Sequence, residues 1–384
     1  MKLLHTSDWH IGRTFHTHPT LEHVRVVLEA LVAEVRGRGV DVVLVSGDVF
    51  DSAMPSADAY GVLSDTLRAI RSAGARVVVT SGNHDSATRL GFQAEWAGEA
   101  GVHVLTRHED LDRPVVVADE HGDVAIYGIP FLEPALIRHH YPDDDVSTHT
   151  AALEFAMARV RRDLAERASP TRSVVLSHCF AAGVTASDVE RDITAGGIDL
   201  VPAAVFDGPD YVALGHIHGR STISDRVRYS GAPLHYSFAE AGKPRGAWLV
   251  ELDAAGLSSV DWVDLPVPRA LVEVTGELAQ ILVDPTLESR AGDWVKAILT
   301  DPKRPLDAMR ALQARFAHCV ALEHRPPHRV DDDARYRDRL VAKSDREIVA
   351  DFVEFVRGGV GLSEPETEIV SAALREIEGE RVPS

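Results

Sequence analysis

Two periodicities alternate along the first 265 residues or so. Short runs that are almost continuously apolar stop abruptly at polar clusters, and between them apolar residues recur at helical spacing. The runs "KLLHTSD" (2–8), "DVVLVSGD" (41–48), "RVVVTSG" (76–82), "DVAIYGI" (123–129), "RSVVLSHC" (172–179), "YVALGHI" (211–217), "VRYSGA" (227–232) and "AWLVELD" (247–253) read as strands. Apolar spacing predicts helices over 19–37, 56–73 and 148–167. Strands without polar alternation are those covered on both faces, and strands interleaved with helices predict an α/β core.

The texture changes after "DLPVPRA". Residues 267–325 offer three short strands (269–275, 294–300, 319–324) and a helix at 305–316, a small α/β module. The stretch 326–343, "PPHRVDDDARYRDRLVAK", is charged and proline-bearing and reads as a linker. Residues 344–384 read as a helical hairpin. Ser344–Glu347 and Ser363–Glu366 each fit the S-x-x-E capping box, and "GGVG" at 358–361 breaks the chain between the helices. Ile348, Phe352, Phe355 and Val356 make one apolar stripe, and Ile369, Ala373, Leu374 and Ile377 another. In a segment too short to bury both stripes alone, they read as a docking face rather than a core.

Composition narrows the class. The 384 residues are 45% hydrophobic and 26% charged, as expected of a soluble globular chain. No apolar run approaches a membrane span, and a strand pattern that starts at once predicts no signal peptide. Two cysteines, Cys179 and Cys319, make neither a disulfide framework nor a thiolate metal site, so a cytoplasmic protein is expected. The net charge of −19 argues against a protein that grips nucleic acid by its own basic surface, but not against one that meets phosphate through bound cations.

The chemistry lies where the strands stop. Five runs end at metal-compatible residues: Asp8 and His10 in "SDWH", Asp48 and Asp51 in "GDVFD", Asn83, His84 and Asp85 in "GNHD", His178 in "SHC", and His216 and His218 in "GHIH". Strand ends on one rim of an α/β sheet converge, and residues two apart leave a strand on one side. One ion can take Asp8, His10 and His218, and a second Asn83, His178 and His216, with Asp48 left to bridge them. Two ions so held clamp the attacking and leaving oxygens of a displacement at phosphorus. Mixed imidazole, carboxylate and amide donors suit manganese, iron or zinc better than magnesium. A single His or Asp at a strand end is ordinarily turn chemistry; five such stops in series are not.

In order and spacing these motifs resemble the calcineurin-like metallophosphoesterase signature D-x-H, G-D, G-N-H-D, H, G-H-x-H. More narrowly, "HTSDWHIGR", "SGDVFDSAMPS", "YVALGHIH", "VRYSGAPLHYSFAE" and "AILTDPKRPLDAMRALQARFAH" resemble the SbcD nuclease family over nearly the whole chain. The resemblance implies a sandwich of two sheets flanked by helices (1–266), a capping domain (267–325), a linker (326–343) and the hairpin (344–384). It also implies a manganese-dependent exonuclease and endonuclease of DNA repair, recombination and replication. Such a nuclease works in the nucleoid as a homodimer with an SbcC-type coiled-coil ATPase. His84 then acts on the leaving group without binding metal, and Asp85 is expected to orient it. Gly219 departs from the family, whose members often carry a basic residue followed by proline there.

Other residues are assigned less. Arg13 and Arg89 follow ligand motifs and are weak candidates for phosphate contact. Asp51 is expected beside the ligands rather than among them, and His16 and His18 as loop polarity. The rivals are a stand-alone phosphoesterase acting on a nucleotide or phosphoprotein, against which the added module and hairpin speak, and a non-catalytic scaffold of the ATPase, against which the intact ligand set speaks.

Overall fold

The structure, a computed structural model, describes residues 1–181, 200–326, 343–357 and 360–380, with side chains through Arg375. Two six-stranded sheets form its centre. The first runs Gly256–Asp264, Gly246–Asp253, Lys2–Thr6, Val42–Ser46, Arg76–Thr80, Val102–Leu105. The second runs Ser221–Thr222, Val227–Tyr229, Tyr211–Gly215, Arg172–His178, Gly122–Ile129, Val115–Asp119. The central strands of each sheet are parallel.

Strand alternation sorts the apolar side chains into layers. Leu3, Val42, Leu44 and Val78 of the first sheet meet Val124, Ile126, Val174 and Leu176 of the second. Leu4, Val43, Val45 and Val77 face the other way, onto the buried stripe Val24, Leu28, Leu31 and Val35 of helix Leu21–Arg38. Ala125, Tyr127 and Val175 face Ala152, Ala156 and Val160 of helix His149–Glu166. The result is a helix–sheet–sheet–helix sandwich, as the resemblance implied.

The expected helices 19–37, 56–73 and 148–167 are found at Leu21–Arg38, Ala57–Ser72 and His149–Glu166. Several strands end sooner than expected: Lys2–Thr6 stops two residues before Asp8, and Arg76–Thr80 three before Asn83. Strands Val102–Leu105, Val115–Asp119 and Gly256–Asp264 were not anticipated. All three lie at sheet edges, where one side is solvated and the continuous apolar signal is diluted.

A third sheet, Leu271–Gly276, Trp294–Leu299 and Cys319–His324, occupies the region read as a small α/β module. Its Leu271 and Trp294 pack on Phe15. His16 and His18, expected as loop polarity, lie against Phe238 and Trp294. Contacts divide the chain into two compact units, Met1–Ile298 with Asp307–Glu323, and Leu299–Leu306 with His324–Ser384. The second unit contains helices Asp345–Val356 and Glu364–Glu380. The Ser344 capping box is formed, and Arg357 pairs with Glu366 at 2.8 Å to tie one helix to the start of the next.

Candidate metal centre

All five motif-bearing loops meet at one end of the sandwich, but strand alternation is not what aims them. Asp8, His10, Asp48 and His216 lie past the ends of their strands, and each has a positive φ (54°, 43°, 50° and 107°). Non-glycine residues adopt this region at a cost of about 1 kcal/mol or more each, and only where the surroundings hold them. Here the surroundings are backbone hydrogen bonds between loops: Asp8 N–H donates to the Gly47 carbonyl and His10 N–H to the Asp48 carbonyl, both at 3.0 Å.

Asp48 is at the centre. Its Oδ1 accepts the His84 N–H at 2.9 Å. Its Oδ2 lies 3.6 Å from His10 Nε2 on one side and 3.4 Å from His178 Nε2 on the other. Beyond His10, the Nε2 atoms of His10 and His218 face each other at 3.1 Å, and Asp8, His10 and His218 form a cluster of metal-ligating atoms. Beyond His178, Asn83 Oδ1 lies 3.0 Å from His178 Nε2 and 3.1 Å from His216 Nδ1. The two expected ligand groups therefore stand on either side of one carboxylate oxygen.

The close approach has a steric condition. A Cβ on Gly82 would lie 2.1 Å from Asp48 Oδ1, so only glycine fits beside the central carboxylate.

Several imidazoles are fixed from behind. His178 Nδ1 is 2.9 Å from the Ser46 carbonyl, which sets that nitrogen as the N–H and turns the Nε2 lone pair inward. His10 Nδ1 is 3.3 Å from Asp51 Oδ1, as expected of a residue beside the ligands. His218 Nδ1 faces Glu240 Oε1 at 3.7 Å, and Glu240 is in turn paired with Arg245 at 2.6 Å, both side chains 1% exposed. This buried support escaped the sequence reading. Glu240 ends "YSFAE", where a single glutamate has no pattern to distinguish it.

The electrostatics fit divalent cations. Burial drives His10 and His216 down to about 3, so both are neutral ligands at ordinary pH. Burial raises Asp8 to about 6. At Asp48 and His178 burial opposes the charged forms, but their mutual attraction wins, holding Asp48 well below the usual carboxylate range and pushing His178 up to about 9. The buried carboxylates of Asp8 and Asp48 beside the neutral His10 and His216 form a donor set that suits bound cations, and a cation there would displace the proton that Asp48 draws onto His178.

His84 and Asp85 part company here. The His84 ring stands edge-on to His10, centroids 4.8 Å apart, and its Nδ1 lies 3.0 Å from the Asp51 carbonyl. Asp85 does not orient it, contrary to expectation. Its carboxylate turns inward to accept the N–H groups of Val49 (3.1 Å), Phe50 (2.9 Å) and Gly82 (2.9 Å). A carboxylate one residue from an imidazole can satisfy backbone donors instead, and three converge here. The weak candidates differ in setting. Arg13 donates to Asp51 at 3.0 Å and stacks on Tyr236, beside the cluster, whereas the exposed Arg89 donates to the Ala53 carbonyl at 2.7 Å. In the second unit Phe352, Phe355 and Ile369 are exposed, Ile348 and Leu374 half-buried, and the Ile377 side chain lies outside the described residues.

Residues 1–220 match the family described as Calcineurin-like phosphoesterase, and residues 267–357 the SbcD_C family, described as Type 5 capsule protein repressor C-terminal domain. Among solved structures, a dimetal phosphatase from Danio rerio is 14% identical, covering 69% of this chain and 98% of its own, at a TM-score of 0.40. TT1561 of Thermus thermophilus is 15% identical, covering 68% and 98%, at 0.39. GAP50, the anchor in the inner membrane complex of Plasmodium, is 11% identical, covering 85% and 98%, at 0.41.

Asp85→Asn tests the corrected role. An amide group would set N–H against N–H where a carboxylate now accepts. The variant should lose about 1–3 kcal/mol of stability in urea unfolding and keep the position of the wild-type pH–rate profile. Unchanged stability with a displaced profile would return Asp85 to the chemistry of His84.

Proposed function

The chain belongs to the calcineurin-like phosphoesterase family, a family of dimetal hydrolases of phosphoester bonds, and we propose that its substrate is the phosphodiester of DNA. The observation that carries this reading is the single Asp48 oxygen between His10 and His178, with a ligand cluster on each side. The SbcD_C match supports a nuclease-type role. On this reading the chain is the nuclease of a two-subunit assembly for DNA repair, recombination and replication in the cytoplasm and nucleoid, cutting duplex ends as an exonuclease and single strands as an endonuclease. Among the described residues no helix is long and apolar enough to cross a membrane.

Asp8, His10 and His218 would hold one ion, Asn83, His178 and His216 the other, and Asp48 both; manganese suits the donor set. Bound there, the ions supply an acidified water and charge for the phosphoryl oxygens. The chain does the rest. The neutral His10 and His216 present lone pairs without a proton to displace. His84, half-exposed, commits Nδ1 to the Asp51 carbonyl and keeps Nε2 for the leaving 3′ oxygen. Arg13, held by Asp51, adds positive charge beside His10.

The hairpin and the surface support two further partners on this reading. Neither described stripe of the hairpin is buried, and its flanks are acidic, with ten acidic and four basic residues in 344–384. Such a face fits a groove with an apolar floor and basic rim on an SbcC-type coiled-coil ATPase. Phe92 and Trp96 are also exposed, on one wall of a surface cleft, and an apolar patch of this kind suits a second copy of the chain.

End-labelled duplex DNA, with and without the ATPase and ATP, should be cut in manganese and less in magnesium. Cleavage of nucleotides or phosphoproteins but not DNA would establish the stand-alone reading.

His84→Ser should keep two ions per chain and lose roughly 10²–10⁴-fold in turnover. His10, Asp48 and His84 also cluster, so loss of an ion by metal analysis would make His84 a ligand.

Truncation after Lys343, or Phe352→Glu with Phe355→Glu, should spare metal content and single-strand cleavage. Co-purification with the ATPase and ATP-dependent duplex cleavage should both disappear. Full-affinity binding by either variant would exclude the docking role.

Sedimentation should give the mass of two chains, falling to one in Phe92→Glu with Trp96→Glu. An unchanged mass would place the dimer contact elsewhere.

A further inference from the structure

One edge of the sandwich carries two indoles in contact, with a guanidinium stacked on each. The Arg228 guanidinium lies over the Trp248 ring at 4.9 Å. Trp248 meets Trp262 edge-on, centroids 4.9 Å apart. Arg220 lies over Trp262 at 4.7 Å. The two indoles come from the outermost strands of the first sheet and the two arginines from the outer end of the second. A hydrogen bond from Trp248 Nε1 to the Tyr229 carbonyl, 2.9 Å, joins the sheets beneath them.

The ladder begins where the candidate metal centre ends. Arg220 is two residues past His218, and the His218 carbonyl is fixed by the Ala232 N–H at 3.1 Å. Exposure is greatest at that start: Arg220 is exposed, Trp262 half-buried and Trp248 buried.

Charge makes the ladder unusual. Many exposed arginines of this acidic chain are paired with acids, as Arg38 is with Glu34, Arg68 with Asp65 and Arg357 with Glu366. Arg228 donates to Thr222 Oγ1 and the Asp225 carbonyl, neither a carboxylate. Among the described residues the Arg220 guanidinium has its ring contacts but no hydrogen-bond acceptor. Asp264 meets the ladder at an indole rather than at a guanidinium, accepting from Trp262 Nε1 at 2.8 Å.

A guanidinium stacked on an indole has a defined outer face and an in-plane fork of N–H donors. The face takes an unpaired base and the fork takes a phosphate. Base pairs in a duplex hide their faces, so the arrangement selects a single strand. We infer that Arg220, Trp262, Trp248 and Arg228 form a rail that holds a single-stranded nucleic acid leading away from the metal centre. The Arg220–Trp262 stack receives a base and Arg220 an adjacent phosphate. This rests on the phosphodiesterase reading of the metal centre and names the part of the chain that holds the strand.

The test uses the full-length protein loaded with manganese and a fluorescent single-stranded oligonucleotide, with anisotropy measured across a salt series. Arg220 is exposed, so Arg220→Glu should fold and retain wild-type metal content. Its affinity should fall about tenfold or more, and the slope of log K against log salt should flatten by roughly 0.7, one phosphate contact on a single strand. Trp262→Ala should weaken binding by about five- to a hundredfold with little change in slope. Wild-type affinity and slope in Arg220→Glu would overturn the inference whatever Trp262→Ala does. Hydrolysis of bis(p-nitrophenyl) phosphate by the wild type, a diester with no strand to hold, separates the two readings. A wild type that hydrolyses it but does not bind the oligonucleotide refutes the rail alone, and one that does neither refutes the phosphodiesterase reading with it.

Discussion

The structure depends on the meeting of Asp48 and His178 across the two sheets. One follows a strand of the first sheet and the other ends a strand of the second, and their side chains come within 3.4 Å. The backbones must nearly touch for this. His178 bonds the Ser46 carbonyl directly, and Ser46 Oγ donates to the Ala213 carbonyl at 2.9 Å. A Cβ on Gly215 would fall 1.9 Å from the Ser46 oxygen, so a side chain there would push the sheets apart. The cost of positive φ at Asp8 and His10 is offset by the N–H groups they donate to the Gly47 and Asp48 carbonyls of the neighbouring loop, and at His216 by the N–H it donates to Asp8 Oδ1 across the two sheets at 3.0 Å.

That geometry accounts for the charge. Taken as a whole the chain repels phosphate, with 59 acidic and 40 basic side chains. Locally it concentrates carboxylates and neutral imidazoles where cations reverse the sign. An acidic phosphoesterase is then consistent: attraction at the scissile bond comes from what the cluster binds, and on the proposed reading grip on the rest of a DNA strand comes from a partner or from a few arginines not paired with acids. On the proposed reading the hairpin, whose Phe352, Phe355 and Ile369 are exposed, recruits that partner.

The residues that meet in the centre could be read from the sequence because each lies at the end of a nearly unbroken apolar run, as "VVLVSGD" and "VALGHIH" do. The supporting contacts could not. The turns that aim Asp8 and His10 are set by the Gly47 and Asp48 carbonyls from a loop some forty residues on, and no local pattern encodes them. Asp85 was misplaced for a related reason: adjacency to His84 implies contact, whereas three converging backbone donors decide the matter and appear only when the Val49, Phe50 and Gly82 segments fold together. Glu240 and Arg245 reach His218 from a loop more than twenty residues away. The edge strand Gly256–Asp264 was missed because Ser259 and Asp261 break the apolar run.

The central claim is that Asp48 joins two ions. Low-temperature electron paramagnetic resonance of the manganese-loaded protein, with metal counting on the same sample, tests it directly. A carboxylate shared by two ions predicts two ions per chain with the signal of an exchange-coupled pair, and in Asp48→Asn the loss of that coupling together with weakened binding at both positions. A wild type with one ion, two uncoupled ions, or an Asp48→Asn variant that keeps the coupled signal would contradict it.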